Sequence, residues 1–449
     1  MQGLTRQVAE FAASAPGLKL DEATTSIVRN GFIDTVGVML AGRHEPVTAI
    51  VRRFAESRRS GEGDARVLWE DTRLSSRDAA LVNATAGHAL DYDDVGLMGH
   101  PSVVLAPALL AEGERLRASG ERLIRAYVVG YEVWAELIAR DQHRHHVKGW
   151  HPTAVFGVLA TAAAVAALRG LGADRSQNAI GIAASMASGL IANFGSMTKP
   201  FHAGQAAAQG IDAVDLAQAG MNASPDALEH HAGFLAAVSP QGAVDRSPCA
   251  VPLGQNLRIA TQGLTVKKYP MCFATHRVID AMLDLVQQHD LVSEQVRSVH
   301  VTLGATQASM LRNHRPTTAL EAKFSLQFAV AAPLVLRKIG LRELQDDVVR
   351  RPEVQAQFGK LRIETVDTVC PTEPTLALSD RVRIETVSGQ VLDSGEVFET
   401  RGSVGSPMGL QELRHKFIDC ASAAPHVDAG ALFDSLLQLP MTQNTAALA

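Results

Sequence analysis

The 449-residue sequence predicts a mostly α protein, a large all-helical domain with a smaller α+β domain inserted toward its C-terminal end. Three observations predict it. From residue 1 to about 262, apolar residues recur at helical spacing. After about Thr265 a period of two sets in, with a hairpin signal, and beyond residue 401 helical spacing returns. The expected divisions are therefore 1–262, 263–401 and 402–449, the last segment rejoining the first.

Within the first span, Val28, Phe32, Val36 and Leu40 form one buried stripe, with Gly42 as the stop. Ala106–Leu116, with Pro107 suited to a first turn, and Leu123–Arg140 follow as helices. Ala154–Leu168 is Ala-rich and apolar all round. At 15 residues it falls short of the roughly 20 that span a bilayer, so it is expected as a core helix. Asn178–Asn193 is a second helix of small residues, and close approach of these two is expected to form the centre of the domain.

In the second span Val299, Val301 and Leu303 alternate with polar residues, as do the residues of Leu361–Val366. Arg381–Val387, a Ser388-Gly389 turn and Gln390–Leu392 read as a hairpin. Helical patterns lie between them at His276–His289 and Ala322–Lys338. Gly402–Pro407 reads as a linker and Leu410–Ala421 as helix.

Composition narrows the function. A hydrophobic share of 46% with 20% charged residues suits a globular chain and excludes a disordered one. The 42 Lys and Arg against 47 Asp and Glu argue against a nucleic-acid partner. The N-terminus shows no apolar signal region, and the four cysteines form no CxxC pair. A soluble, cytoplasmic protein without membrane contact is expected.

Nucleotide-binding, HExxH and GxSxG signatures are absent. Ser196-Met-Thr-Lys199 matches an SxxK element but lacks the companion SDN and KTG elements. The run His143, His145, His146 and His151 offers metal ligands, or else a polar loop that sends one histidine into a pocket. With no carboxylate pair at motif spacing, no metal is expected.

HALDYDD (88–94) precedes HPS (100–102). His88 and Asp91 are i,i+3 neighbours if helical, and Asp93-Asp94 serve equally well as helix caps. Lys199 and His202 in KPFHAG, and Lys267 and Lys268 in KKYP, place cations beside proline breaks in apolar surroundings. Acids, imidazoles and ammonium groups at breaks between buried helices suit binding small anions and moving protons.

HALDYDD with HPS, GWHPTAVFG (149–157), SMTKPFHAG (196–204), KKYPMCFATH (267–276) and AKFSLQF (322–328) follow one another along the chain. In that order they resemble the MmgE/PrpD family, which includes 2-methylcitrate dehydratase, cis-aconitate decarboxylase and iminodisuccinate epimerase. The resemblance implies a helical domain with an α+β lid, a homodimer, a small carboxylate substrate, and no metal or organic cofactor. It implies catalytic roles for Asp91, His100, His151, Lys199 and Lys267. Val95, His202, Lys268, His276 and Phe328, in or beside the same motifs, are expected to bind substrate. As Lys267 opens the second span, the pocket is expected between domain and lid.

Two positions depart from the pattern. Cis-aconitate decarboxylases carry Thr and Tyr where this chain has Val95 and Phe328, and the spacing to His100 is one residue shorter. Losing two hydroxyls from a site built to hydrogen-bond its ligand predicts a changed substrate. The expected function is a lyase that eliminates water or carbon dioxide from a small di- or tricarboxylate other than cis-aconitate. An epimerase or isomerase using the same proton abstraction, or a carboxylate-binding relative without turnover, are the alternatives.

Overall fold

The computed structural model describes residues 2–141, 143–371, 373 and 375–448. The chain forms two compact units, Met1–Thr265 with Leu410–Ala449, and Val266–Gly409.

The first unit is built from helices α1 (Leu4–Ala13), α2 (Glu22–Ala41), α3 (Pro46–Ser57), α4 (Ser76–Ala89), α5 (Pro101–Leu116), α6 (Gly120–Ile138), α7 (His145–Lys148), α8 (Pro152–Arg169), α9 (Ala173–Met186) and α10 (Thr198–Gln218). Helix α8 is buried along nearly its whole length, packed by α5, α6, α9 and α10. Among the described residues it is the one helix long and apolar enough to cross a membrane, and 94% of its apolar window is buried within the fold.

Helix α10 runs between α4 and α8. Small residues permit this: a Cβ on Gly204 would sit 2.2 Å from Thr85 Oγ1 and 2.4 Å from the Leu81 carbonyl oxygen. The expected approach of α9 to α8 is present, and α10 joins it at the centre. Helix α9 buries one face, through Ser176, Ala179, Ile180 and Ala183, while α10 is the closer neighbour of α8. Helix α9 also stops at Met186 instead of Asn193: Ala187 turns extended at ψ 118°, and Gly189 follows at φ +138°, outside any helix. Helix α5 starts five residues before the expected Ala106, with Pro101 in its first turn and Pro107 inside it.

The helices Leu410–Ala421 and Ala429–Leu437 pack on α2, where Phe417 lies against Gly37. The first unit carries a two-residue ladder of β1 (Ala65–Arg66) and β2 (Arg73–Leu74), and the second unit a four-stranded sheet. Strand β3 (Val296–Gly304) pairs in parallel with β4 (Leu361–Val366) and antiparallel with β5 (Asp380–Thr386), which pairs antiparallel with β6 (Val391–Val397). Val299, Val301 and Leu303 point into a core shared with helices His276–His289 and Leu326–Leu336. The helix expected over Ala322–Lys338 is two pieces, Ala319–Lys323 and Leu326–Leu336. The second begins where the Ser325 hydroxyl accepts the Phe328 N–H at 3.2 Å.

Candidate active site

In the first unit, the ends of α4, α5, α8 and α10 carry a cluster of ionisable side chains. Helix α4 ends at Ala89, and the chain turns through Asp91 in the left-handed region at φ +54°. Helices α5 and α8 begin alike, with His100-Pro101 and His151-Pro152. Proline suits the first helical position, and its ring drives the preceding residue out of helical geometry. His100 accordingly has ψ 83° and His151 ψ 106°. Each imidazole therefore sits at the N-terminus of a buried helix. The two helix starts are tied by the His100 N–H, which donates to Thr153 Oγ1 at 3.2 Å.

Asp93, fully buried, lies at the centre. Its carboxylate accepts from His88 Nδ1 at 2.9 Å and from His100 Nδ1 at 3.0 Å. His100 Nδ1 also lies 2.8 Å from the Asp94 carbonyl oxygen, a second acceptor. Both rings must therefore carry their proton on Nδ1, which leaves Nε2 as the basic nitrogen of the neutral form. His100 Nε2 lies 3.9 Å from Asp91 Oδ1. Burial raises the Asp93 carboxyl, but the two imidazoles outweigh it and hold the group well below its ordinary value. Burial pushes His88 down to about 4, so it is a neutral donor at pH 7.

Lys199, in the first turn of α10, donates to Asp91 Oδ1 at 2.7 Å. Its ammonium also lies 5.3 Å from the centroid of the Phe194 ring. The same ring meets His151 edge-on at 4.9 Å. His151 Nδ1 lies 3.2 Å from His202 Nδ1, so one ring donates and the other accepts. Burial, followed by the nearby His88 and Lys199, holds His151 well below 6.5. His88 links the two halves, 4.6 Å from the His100 ring and 5.9 Å from the His151 ring. The result is a row of imidazoles flanked by an ammonium–carboxylate pair.

His88, Asp91, Asp93 and His100 offer ligand atoms within 4.8 Å of one another. The donor set favours protons over a cation. A dication there would displace two N–H donors from Asp93 and face the Lys199 ammonium, which already neutralises Asp91. The histidine run at 143–146 forms no such group among the described residues. His143 bonds Asp141 at 3.2 Å, and His145 packs edge-on against Phe156. Ser196 is exposed and donates to the Asn193 carbonyl oxygen, so the SxxK match forms no serine–lysine dyad.

Of the residues expected from the sequence, Asp91, His100, His151, Lys199 and His202 come together in this unit. Val95 is half-buried on the same loop, its backbone bridged to Thr265 at 2.8 and 2.9 Å. Lys267, Lys268, His276 and Phe328 belong to the second unit. Lys267 is 1% exposed and Lys268 half-buried. His276 is buried between the rings of Tyr269 and Phe273, its Nε2 3.2 Å from the Met271 carbonyl oxygen. Phe328 packs wholly inside the apolar core of that unit.

Sequence reasoning did not assign His88, Asp93 or Phe194 to the site. His88 pairs with Asp93 instead of Asp91, because α4 ends before Asp91 can sit on its face. The capping role expected of Asp93-Asp94 falls to Asp94 alone, which accepts the Ser102 N–H at 3.3 Å and the Ser102 hydroxyl. The repeated His-Pro dipeptide, at 100 and 151, was the available signal for two imidazoles at helix starts.

Fold and site together define a helical protein with a buried His–Asp–Lys centre able to hold and relay protons. The chain belongs to the MmgE/PrpD family: the MmgE/PrpD N-terminal domain matches residues 6–247 and the C-terminal domain residues 269–432. Among curated proteins it is similar to the cis-aconitate decarboxylase of Mus musculus, with 29% identity over 91% of this chain and 85% of the relative. The Homo sapiens protein of that name is 28% identical over 91% and 86%. That of Aspergillus terreus is 26% identical over 92% and 88%.

Proposed function

We propose that the protein is a lyase that eliminates carbon dioxide or water from a small di- or tricarboxylate by acid–base chemistry. The observation that carries this is the pair of imidazoles on Asp93, which fixes the His100 tautomer and leaves Nε2 as a base. The decarboxylase names of the relatives support the reaction class.

In the proposed mechanism Lys199 exchanges part of its bond to Asp91 for a substrate carboxylate, and charge developing next to that carboxylate is stabilised by the ammonium. His100 Nε2 takes or returns the proton at carbon, and the imidazolium formed is stabilised by Asp93. If His202 donates to His151 Nδ1, neutral His151 carries its proton on Nε2 and can donate a hydrogen bond from it to a substrate oxygen. Lys267 is assigned as a second carboxylate-binding cation, and Lys268, His202 and His276 as further substrate-binding groups, on the strength of the family motifs. The absence of hydroxyls at Val95 and Phe328 supports a substrate other than cis-aconitate. The proposal includes no metal, and dialysis against a chelator should leave activity unchanged.

The test is an NMR screen of di- and tricarboxylates in deuterated buffer. Loss of carbon dioxide or water supports the proposal. Solvent deuterium entering without net conversion, or binding without either event, contradicts it.

A further inference from the structure

Lys416 lies on the helix Leu410–Ala421, about 320 residues from the catalytic loop, in the segment that rejoins the first unit. It is 6% exposed, an uncommon setting for a lysine. Its ammonium makes three contacts. It pairs with Asp34 Oδ1 of α2 at 2.5 Å, donates to the Tyr92 carbonyl oxygen at 2.9 Å, and stands 4.0 Å from the centroid of the Tyr92 ring.

Tyr92 is the residue between Asp91 and Asp93. A carbonyl held in one direction fixes the peptide plane that leads into Asp93, and hence where its carboxylate points. The preceding residue, Asp91, sits in the left-handed region, which a non-glycine residue keeps only when its surroundings enforce it. Two other anchors hold the far side of the loop. Ser102 bonds Asp94, and Thr265 bridges Val95. Lys416 alone of these three grips the stretch between the two catalytic carboxylates. A pair needed only for packing would serve as well with apolar residues of similar volume. The bond to a loop carbonyl is what such a replacement would lose.

We propose that Lys416 is a positioning residue: through the Tyr92 carbonyl and ring it holds the loop so that Asp93 faces His88 and His100 while Asp91 faces Lys199. The activity arm of the test rests on the proposed lyase reading; the spectroscopic arm does not.

Lys416→Met alone leaves Asp34 without its cation, so the informative variant is the double Asp34→Asn/Lys416→Met, compared with Asp34→Asn, which keeps Lys416 on Tyr92. In protein labelled with 15N-histidine, the Nδ1–H signals bonded to Asp93 are identified by their loss in His88→Gln and His100→Gln. Both signals should persist in Asp34→Asn and vanish or move in the double variant, with the near-ultraviolet circular dichroism of both unchanged. On a substrate found by the screen, the double variant should lose at least about tenfold in kcat with KM within twofold, relative to Asp34→Asn. A folded double variant with both signals in place overturns the proposal, whether or not a substrate is known.

Discussion

Nδ1 of His100 lies 3.0 Å from Oδ2 of Asp93 and 2.8 Å from the Asp94 carbonyl oxygen, and these two acceptors together leave Nε2 available for chemistry. Asp93→Asn removes the charge that stabilises the imidazolium, while the Asp94 carbonyl still holds the proton on Nδ1. It should lower kcat by about 100-fold or more, within the range for general acid–base groups, with a smaller change in KM. Steady-state kinetics decide this, and a kcat within threefold of the natural protein would take Asp93 out of the proposed mechanism.

The cations should matter far more than surface charges do. An exposed ion pair contributes about 0–1 kcal/mol. Lys199→Ala and Lys267→Ala should each lower kcat/KM by roughly 100-fold, equivalent to about 2.7 kcal/mol. For Lys199 the geometry is in hand, through Asp91 at 2.7 Å. For Lys267 the assignment rests on the KKYP motif, so near-normal turnover in its variant removes that residue alone.

The stability contributed by the neutral buried imidazoles should fall on mild acidification. Burial lowers His88 to about 4 and holds His151 well below 6.5. Between pH 6.5 and 4 the unfolded chain therefore binds protons that the folded chain refuses, and stability declines as pH drops. For His88 the full effect is about 3 kcal/mol. Asp93 acts in the same direction at still lower pH, since its stabilising ionised form is lost as pH falls through its depressed folded value. Buried carboxyls raised by burial, Asp380 to about 7 among them, act the other way, so the test is a comparison with His88→Gln. Between pH 7 and 4.5 the natural protein should lose more Tm than that variant, and identical profiles would show that His88 is not kept neutral.

The unmodified protein should decarboxylate cis-aconitate poorly or not at all, and Val95→Thr/Phe328→Tyr tests whether hydroxyls at those positions change that. Phe328 is 0% exposed within an apolar core, so a phenol there lacks water and should cost about 1–3 kcal/mol unless it finds a partner. The double variant should melt lower than Val95→Thr alone. Robust itaconate formation by the unmodified chain would remove the argument for a different substrate.

Much of the fold was legible because its signals are local. The β5–β6 hairpin announced itself by alternation around Ser388-Gly389, and the core helix α8 by an apolar run with no polar face. The close packing of α10 on α8 was not legible, because it shows only in three dimensions, at Gly210, where a Cβ would sit 2.4 Å from Thr161 Cβ. In the site, His100 and His151 were marked by the prolines that follow them. Asp93 was not, since its direction depends on the left-handed turn at Asp91 and on groups far away in sequence. The Lys199–Asp91 pair spans 108 residues, beyond the reach of any local pattern.

The most direct test compares the natural protein with His100→Gln on the substrate that the carboxylate screen identifies, following proton transfer at carbon in deuterated buffer. If His100 Nε2 moves that proton, the variant should bind the carboxylate with similar affinity yet lose both deuterium incorporation and elimination by about 100-fold or more. A folded His100→Gln protein that keeps a tenth or more of the natural rate of both would contradict the account.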